Sequence, residues 1–231
     1  MKAVFFDVDF TLIYPGPALQ AEGHRVFCEP HGVDIDTSRW EAAVRGASSL
    51  LHSADQLYDP EIFIGYTRRI LEGMGGSGPG LLPASRQIYD EWAACHHFSL
   101  YDDVPETLRR LHGEGYRIGL ISNTHRCLTS FQSHFALEGL ITAAVSSSGH
   151  GYMKPHASIF QAALTLTGVA PGDSVMVGDS YSHDIAGAQA LGMRGILIDR
   201  SRATGTAQPL ARPDAPGCAV VSSLHDIFEH L

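Results

Sequence analysis

Basic residues are in short supply: 16 Lys and Arg stand against 25 Asp and Glu in 231 residues, a formal net charge of −9. Proteins grip nucleic acid by neutralising its phosphates, and no basic stripe serves that purpose here, so nucleic acid is not expected as a partner. Cysteine is also sparse. Cys28, Cys95, Cys127 and Cys218 are scattered and form no C-x-x-C pair, which argues against a zinc site and a disulfide framework and fits a reducing cytosol. Long apolar runs are missing. The first apolar stretch, Ala3 to Phe6, is only four residues, too short for a signal-peptide core, and no run of ~18 apolar residues follows it. A soluble, cytoplasmic protein with no membrane partner is expected.

What the chain does have is apolar content, 44% of its residues, enough for a sizeable core without covalent staples. Its 231 residues fall between one and two domains on a prior of ~150 residues each. Beyond the opening strand, short runs rich in Ile and Val, at 116–122, 141–147, 173–179 and 194–199, alternate with helical patterns at 103–115, 125–135, 155–168 and 184–192. That alternation predicts crossover units and a parallel sheet covered on both faces. Residues 15–98 break it: the spacing is helical throughout, around a "GMGGSGPG" loop at 73–80. The expectation is an α/β, Rossmann-like three-layer core (residues 1–14 and 99–231) with an inserted all-helical domain (15–98). A long loop at 203–217, a short edge strand and a closing helix end the chain, and no internal repeat is visible.

The opening stretch "VFFDVDFTLI", residues 4–13, poses the chemical question. Asp7 and Asp9 end a buried-looking strand, where two carboxylates so close together need a cation. Ligands of open parallel sheets bind at the carboxyl ends of strands, and that rule gathers Asp7, Asp9, Ser122, Asn123, Asp179 and Asp184. Several oxygen ligands at a strand end suit a hard divalent cation, magnesium being the usual one. Ser122 and Asn123 are read as the point where a strand gives way to a helix, whose free N–H groups bind anions. Lys154 adds a positive charge, and Pro155 after it biases the lysine to an extended loop and starts the next helix. A magnesium ion, an N–H cradle, a lysine and a carboxylate suit phosphoryl transfer.

Four motifs in this order resemble the haloacid dehalogenase-like superfamily of phosphohydrolases: D-x-D-x-T at Asp7, Asp9 and Thr11; Ser122 followed by Asn123; Lys154 before Pro155; and G-D-x-x-x-x-D at Gly178, Asp179 and Asp184. The resemblance implies an Mg2+-dependent phosphatase of a small phosphorylated metabolite, a monomer or homodimer. It makes Asp7 the nucleophile that forms an aspartyl-phosphate, and Asp9 the general acid and base whose backbone carbonyl also binds magnesium. Thr11, Ser122, Asn123 and Lys154 would hold the phosphoryl oxygens, Asp7, Asp9, Asp179 and Asp184 the metal, and the insert would be the cap. One departure is Phe10, where most members have glycine; the turn after Asp9 is expected to differ, or Phe10 to face the cap.

Three rival readings exist. A phosphomutase would use the same Asp7 and Asp9, while a carbon–halogen hydrolase needs neither Asp9 nor the Asp179 pair; a non-catalytic binding protein would be expected to have lost its acids. His96 and His97 are read as surface or helix-end residues, because helix neighbours point about 100° apart and cannot share an ion. His125 and His183 lie near the site in sequence but are not assigned to it. Trp40, Tyr66, Arg68, Arg69 and Trp92 are read as core and surface of the insert. Gly16, between Pro15 and Pro17, is read as a hinge.

Overall fold

A computed structural model describes residues 2–51, 56–200 and 217–231; the loop expected at 203–217 lies outside these, Gly217 excepted. The chain divides into two compact units, Met1–Tyr14 with Leu100–Leu231, and Pro15–Ser99.

The first unit is α/β. Its strands β1 (Ala3–Phe6), β4 (Arg117–Ser122), β5 (Ala143–Ser146), β6 (Ser174–Gly178), β7 (Arg194–Ile198) and β8 (Ala219–Val221) make one sheet in the order β5-β4-β1-β6-β7-β8. Two further strands of three residues each, β2 (Ile13–Pro15) and β3 (Phe98–Leu100), are the segments by which the chain leaves this unit and returns to it. Every pairing in the large sheet is parallel. All four residues of β1 and all five of β6 are buried, as continuous apolar runs in a sheet covered on both faces must be. β1 lies at the centre with Phe6 level with Leu120 on one side and Val177 on the other. The chain builds outward from β1 through β4 to β5, then crosses to β6 and builds the other way, so β1 and β6 flank the switch point where such sheets bind ligands. Gly119 in β4 is needed for packing: a Cβ there would meet Cδ1 of Phe5 at 2.4 Å.

The helices of this unit start and stop where local chemistry allows. Val104–Gly113 opens with Pro105 in its first turn, where a missing N–H costs nothing. Ala157–Thr167 begins two residues later than Pro155 suggested: His156 is the N-cap, its Nδ1 accepting from the N–H of Ser158 at 3.3 Å, and Gly168 in the left-handed region ends the helix. The closing segment Leu224–His230 is 3-10 rather than α, opened by a capping box of Ser223 and Asp226.

Among the described residues, the second unit holds four α-helices, Ala21–Cys28, Trp40–Ala47, Pro60–Gly73 and Leu81–Trp92. The third shows how sequence sets its ends: Asp59 accepts from the N–H of Glu61, Pro60 occupies the first turn, and the glycine-rich loop follows Gly73. Its buried face (Ile70, with Met74 just beyond) packs with Ala43, Val44 and Ala47, against which Trp40 and Tyr66 also lie. A second cluster joins Cys28, Val33, Leu71, Leu81, Ala84 and Ile88. Arg68 makes an exposed ion pair with Glu72. Among the described residues no helix is long and apolar enough to cross a membrane, and the four cysteines form no disulfide.

Candidate active site

Asp7 is the first residue past β1, its N–H donating to the carbonyl of Val177 at 2.9 Å, and Asp179 is the first past β6. Because these strands are neighbours, the two acids come together. Asp184 reaches them from a π-helical turn, Tyr181–Ile185, that precedes the helix Ala186–Ala190. Such single π turns are frequent at functional sites. Its Oδ2 accepts from the N–H of Ser180 at 3.0 Å. Carboxylate oxygens of Asp7, Asp179 and Asp184 lie within 4.8 Å of one another.

Lys154 follows the short helix Ser147–His150 that succeeds β5 and is almost wholly buried, 3% exposed. Its Nζ donates to Oδ1 of Asp7 at 2.5 Å and to Oδ1 of Asp184 at 2.6 Å. The lysine is aimed by its backbone. Asn123 Oδ1 accepts from the N–H of Lys154 at 2.7 Å, and Asn123 Nδ2 donates to its carbonyl at 3.1 Å. Both ends of the Asn123 amide are thus occupied in holding Lys154 rather than free for a phosphate. Ser122, buried at the end of β4, and Asn123 do not open a helix: the next one, Leu128–His134, starts five residues after Asn123 with Cys127 as its N-cap. Between them Thr124 Oγ1 accepts from the N–H of Arg126 at 3.1 Å, a local side-chain turn that competes with helix and delays it.

One lysine faces three carboxylates, and the electrostatics show the deficit. Burial pushes Asp7 up to about 7, with Asp184 and Asp9 adding to the rise and Lys154 opposing it. Asp179 is raised well above the ordinary carboxylate range by burial and by the charges of Asp7 and Asp184. Burial alone would lower Lys154, but Asp184 and Asp7 outweigh it and raise the ammonium above its usual value. The three carboxylates are hard oxygen donors already gathered, with too little positive charge among them. That is the donor set of a divalent cation such as magnesium.

Asp9 follows a different course. Its two carboxylate oxygens accept from Nη1 of Arg126, at 3.1 Å each, and Arg126 is 1% exposed. The two carboxylates of the opening motif therefore have different side-chain partners: Asp7 rests on Lys154 and Asp9 on Arg126. No pattern in the sequence singled out Arg126; its one signal is that an arginine in a buried post-strand turn requires an acid. Arg200 was missed likewise. It is buried after β7, donates from Nε and Nη2 to the carbonyl of Thr11 at 3.2 and 2.7 Å, and is anchored by Asp103 at 2.6 Å and the Tyr101 ring at 4.0 Å. Arg200 thereby fixes the Asp9–Leu12 turn from behind. The Thr11 hydroxyl, fully buried, has no hydrogen-bond partner, which costs about 1–3 kcal/mol unless another group satisfies it. His183 turns its Nδ1 to Ser180 Oγ at 3.1 Å.

Phe10 takes the conformation that glycine would: its φ is +63°, and its N–H donates to the carbonyl of Ile13 at 2.7 Å. A Cβ in the left-handed region is strained by about 1–2 kcal/mol. Phe10→Gly is therefore expected to be more stable than Phe10→Ala by about 1 kcal/mol, inverting the ordinary order. Chemical denaturation of the two variants decides it, and equal stabilities would contradict the strain.

Gly178 is required by close approach. A Cβ there would lie 2.2 Å from Oδ2 of Asp184. Gly178→Ala must displace the Asp184 carboxylate and so break its bond to Lys154, at an expected cost of about 3 kcal/mol in stability. An unfolding midpoint equal to wild type would show that Asp184 is held less firmly than its contacts indicate.

An α/β unit with this strand order and acids gathered at the switch point defines a doubly wound protein with its ligand-binding edge at the carboxyl ends of β1 and β6. Residues 1–192 match the sequence profile described as haloacid dehalogenase-like hydrolase. The chain belongs to the haloacid dehalogenase-like hydrolase family. It is 30% identical to a human protein named haloacid dehalogenase-like hydrolase domain-containing protein 3, over 100% of this chain and 94% of that one. The match to the Xenopus laevis protein of that name, at 33% identity, spans only 49% of this chain and 47% of the other. A glyceraldehyde 3-phosphate phosphatase of Methanothermobacter thermautotrophicus is 35% identical over 86% of each chain. In fold, the chain is similar to a HAD phosphatase from Thermococcus onnurineus, with a TM-score of 0.66 at 22% identity over 100% of this chain and 97% of that one.

Proposed function

We propose that the protein is a magnesium-dependent phosphohydrolase of small phosphorylated metabolites that passes the phosphoryl group through Asp7. The observation that carries this is Lys154 Nζ set between Asp7 and Asp184, at 2.5 and 2.6 Å, where β1 and β6 meet. Asp7, Asp179 and Asp184 would hold the cation, with the backbone carbonyl of Asp9 as a further ligand. When bound, the cation supplies the missing positive charge to these carboxylates and to the phosphoryl oxygens.

The chain's own residues do the rest. An Oδ of Asp7 attacks phosphorus, the bond to the leaving oxygen breaks, and Asp9 gives that oxygen a proton. Water then attacks the acyl-phosphate with Asp9 taking its proton, and the Asp7–phosphorus bond breaks to release phosphate. Lys154 balances charge on the transferring group. Thr11 and Ser122 offer hydroxyls to its oxygens, which would satisfy the orphaned Thr11 Oγ1. Arg126 orients Asp9, Asn123 orients Lys154, and Arg200 steadies the turn that carries Thr11. The helical unit is assigned the role of a cap that excludes water and selects the substrate.

A panel of phosphometabolites assayed with magnesium and with a chelator tests the reading. The expected result is phosphate release that the chelator abolishes and magnesium restores. Isomerised product without free phosphate would make the protein a mutase instead. Chelator-insensitive halide release would make it a dehalogenase.

A further inference from the structure

The described residues contain a second group of metal-ligating side chains, in the helical unit. Glu91 lies in the last turn of Leu81–Trp92, and His96 and His97 lie on the short 3-10 turn Cys95–His97 that follows. The objection that neighbouring histidines cannot share an ion assumes that both sit on one α-helix. Here Ala94 and Phe98 are extended on either side of the turn, the two imidazole rings are 4.0 Å apart between centroids, and the third donor comes from the preceding helix. One donor atom from each of Glu91, His96 and His97 falls within 4.8 Å of the others.

We propose that Glu91, His96 and His97 form a binding site for a borderline divalent transition metal of the zinc type, separate from the all-carboxylate cluster of the α/β unit. Two imidazoles and one carboxylate make a three-ligand set that leaves further positions to water. Bonds of 2.0–2.2 Å in tetrahedral geometry place donors about 3.3 Å apart. The His97 Nε2 to Glu91 Oε2 distance is 2.7 Å, so that pair needs only to open slightly. His96 is exposed and closes the remainder by side-chain rotation. The other two ligands are pre-set: His97 and Glu91 side chains are 14% and 33% exposed, the Phe27 ring meets His97 edge-on at 6.3 Å, and the His97 carbonyl accepts from the N–H of Gly16 at 2.7 Å. That last contact explains Gly16: a Cβ there would press on the same carbonyl at 3.0 Å.

Donor chemistry separates the two clusters. Asp7, Asp179 and Asp184 offer only hard oxygens, which suit magnesium, whereas imidazole nitrogen favours zinc, cobalt, nickel and copper in the Irving–Williams sense. Excess magnesium therefore occupies the first cluster and leaves the second for the softer ion.

The test is titration of the full chain with Co2+ and with Zn2+ in saturating Mg2+, followed by calorimetry and, for Co2+, by its visible ligand-field bands. One equivalent bound with nitrogen-type cobalt bands is expected. His96→Ala, an exposed position that does not threaten folding, and Glu91→Gln, which keeps a hydrogen bond to His97, should each weaken binding by about tenfold or more. Unchanged affinity in both variants, no binding by the wild-type chain, or cobalt bands from oxygen ligands alone would each overturn the proposal.

Discussion

Asp7→Asn is expected to lower turnover by at least about a thousandfold while the protein becomes more stable in chelator. The loss of activity follows because an amide of the same size cannot take the phosphoryl group. The gain in stability follows from the electrostatics. Burial raises the Asp7 carboxyl from 3.8 to about 7, so the folded state holds its proton more tightly than the unfolded chain does. Stability from this group is fully present below pH 3.8 and is lost as pH rises through about 7. Asparagine suffers no such loss. The variant should therefore exceed wild type by on the order of 2 kcal/mol near pH 8, and the difference should shrink as pH falls towards 4. Denaturant unfolding at a series of pH values in chelator reads this out. A variant less stable than wild type at pH 8, or one with wild-type phosphate release, would contradict the environment and the role given to Asp7.

Lys154→Ala should act in the opposite sense on stability and in the same sense on rate. It removes the ammonium bonded to both Asp7 and Asp184, leaving three buried or half-buried acids to repel one another. Breaking a buried pair by deleting one partner costs about 3–5 kcal/mol, and added magnesium, which binds only the folded site, should restore part of it. Catalysis should lose about 3 kcal/mol or more of transition-state stabilisation even in magnesium, because the proposed chemistry sets the lysine against the transferring charge. Steady-state kinetics in saturating magnesium separates the two effects. A change under twofold in kcat/KM would remove Lys154 from the chemistry.

The parallel sheet was legible because β1, β4, β6 and β7 are apolar runs bounded by turn residues, and that pattern has few other solutions. The convergence of Asp7 and Asp179 was legible for a related reason: each directly follows a strand end, and strand ends meet on one side of the sheet, whereas Lys154 and Asp184 stood out by the order of the motifs. What failed to show depends on distances along the chain that periodicity does not encode. Arg126 reaches Asp9 across 117 positions and Arg200 reaches Thr11 across 189, and neither arginine belongs to a repeating pattern. The helix expected at Ser122 gave way to a Thr124 turn, and the helix expected at Pro155 waited for the His156 cap, both choices made by single side-chain hydrogen bonds. Phe10 shows the limit of reading glycine from a family pattern, since the backbone keeps the left-handed turn and tolerates the side chain. His96 and His97 do lie just past a helix end, as read, but the turn that holds them is 3-10, so the 100° spacing of α-helix neighbours does not apply to them.

Asp7 stands at the centre of the proposed chemistry, and trapping the phosphorylated protein tests it most directly. Rapid quenching during turnover of a phosphate ester, borohydride reduction of the acyl-phosphate and peptide mass spectrometry would locate the labelled side chain. The modification is expected on Asp7 alone and only with magnesium present. Label on another residue, or steady turnover with no phosphorylated protein at any quench time, would contradict it.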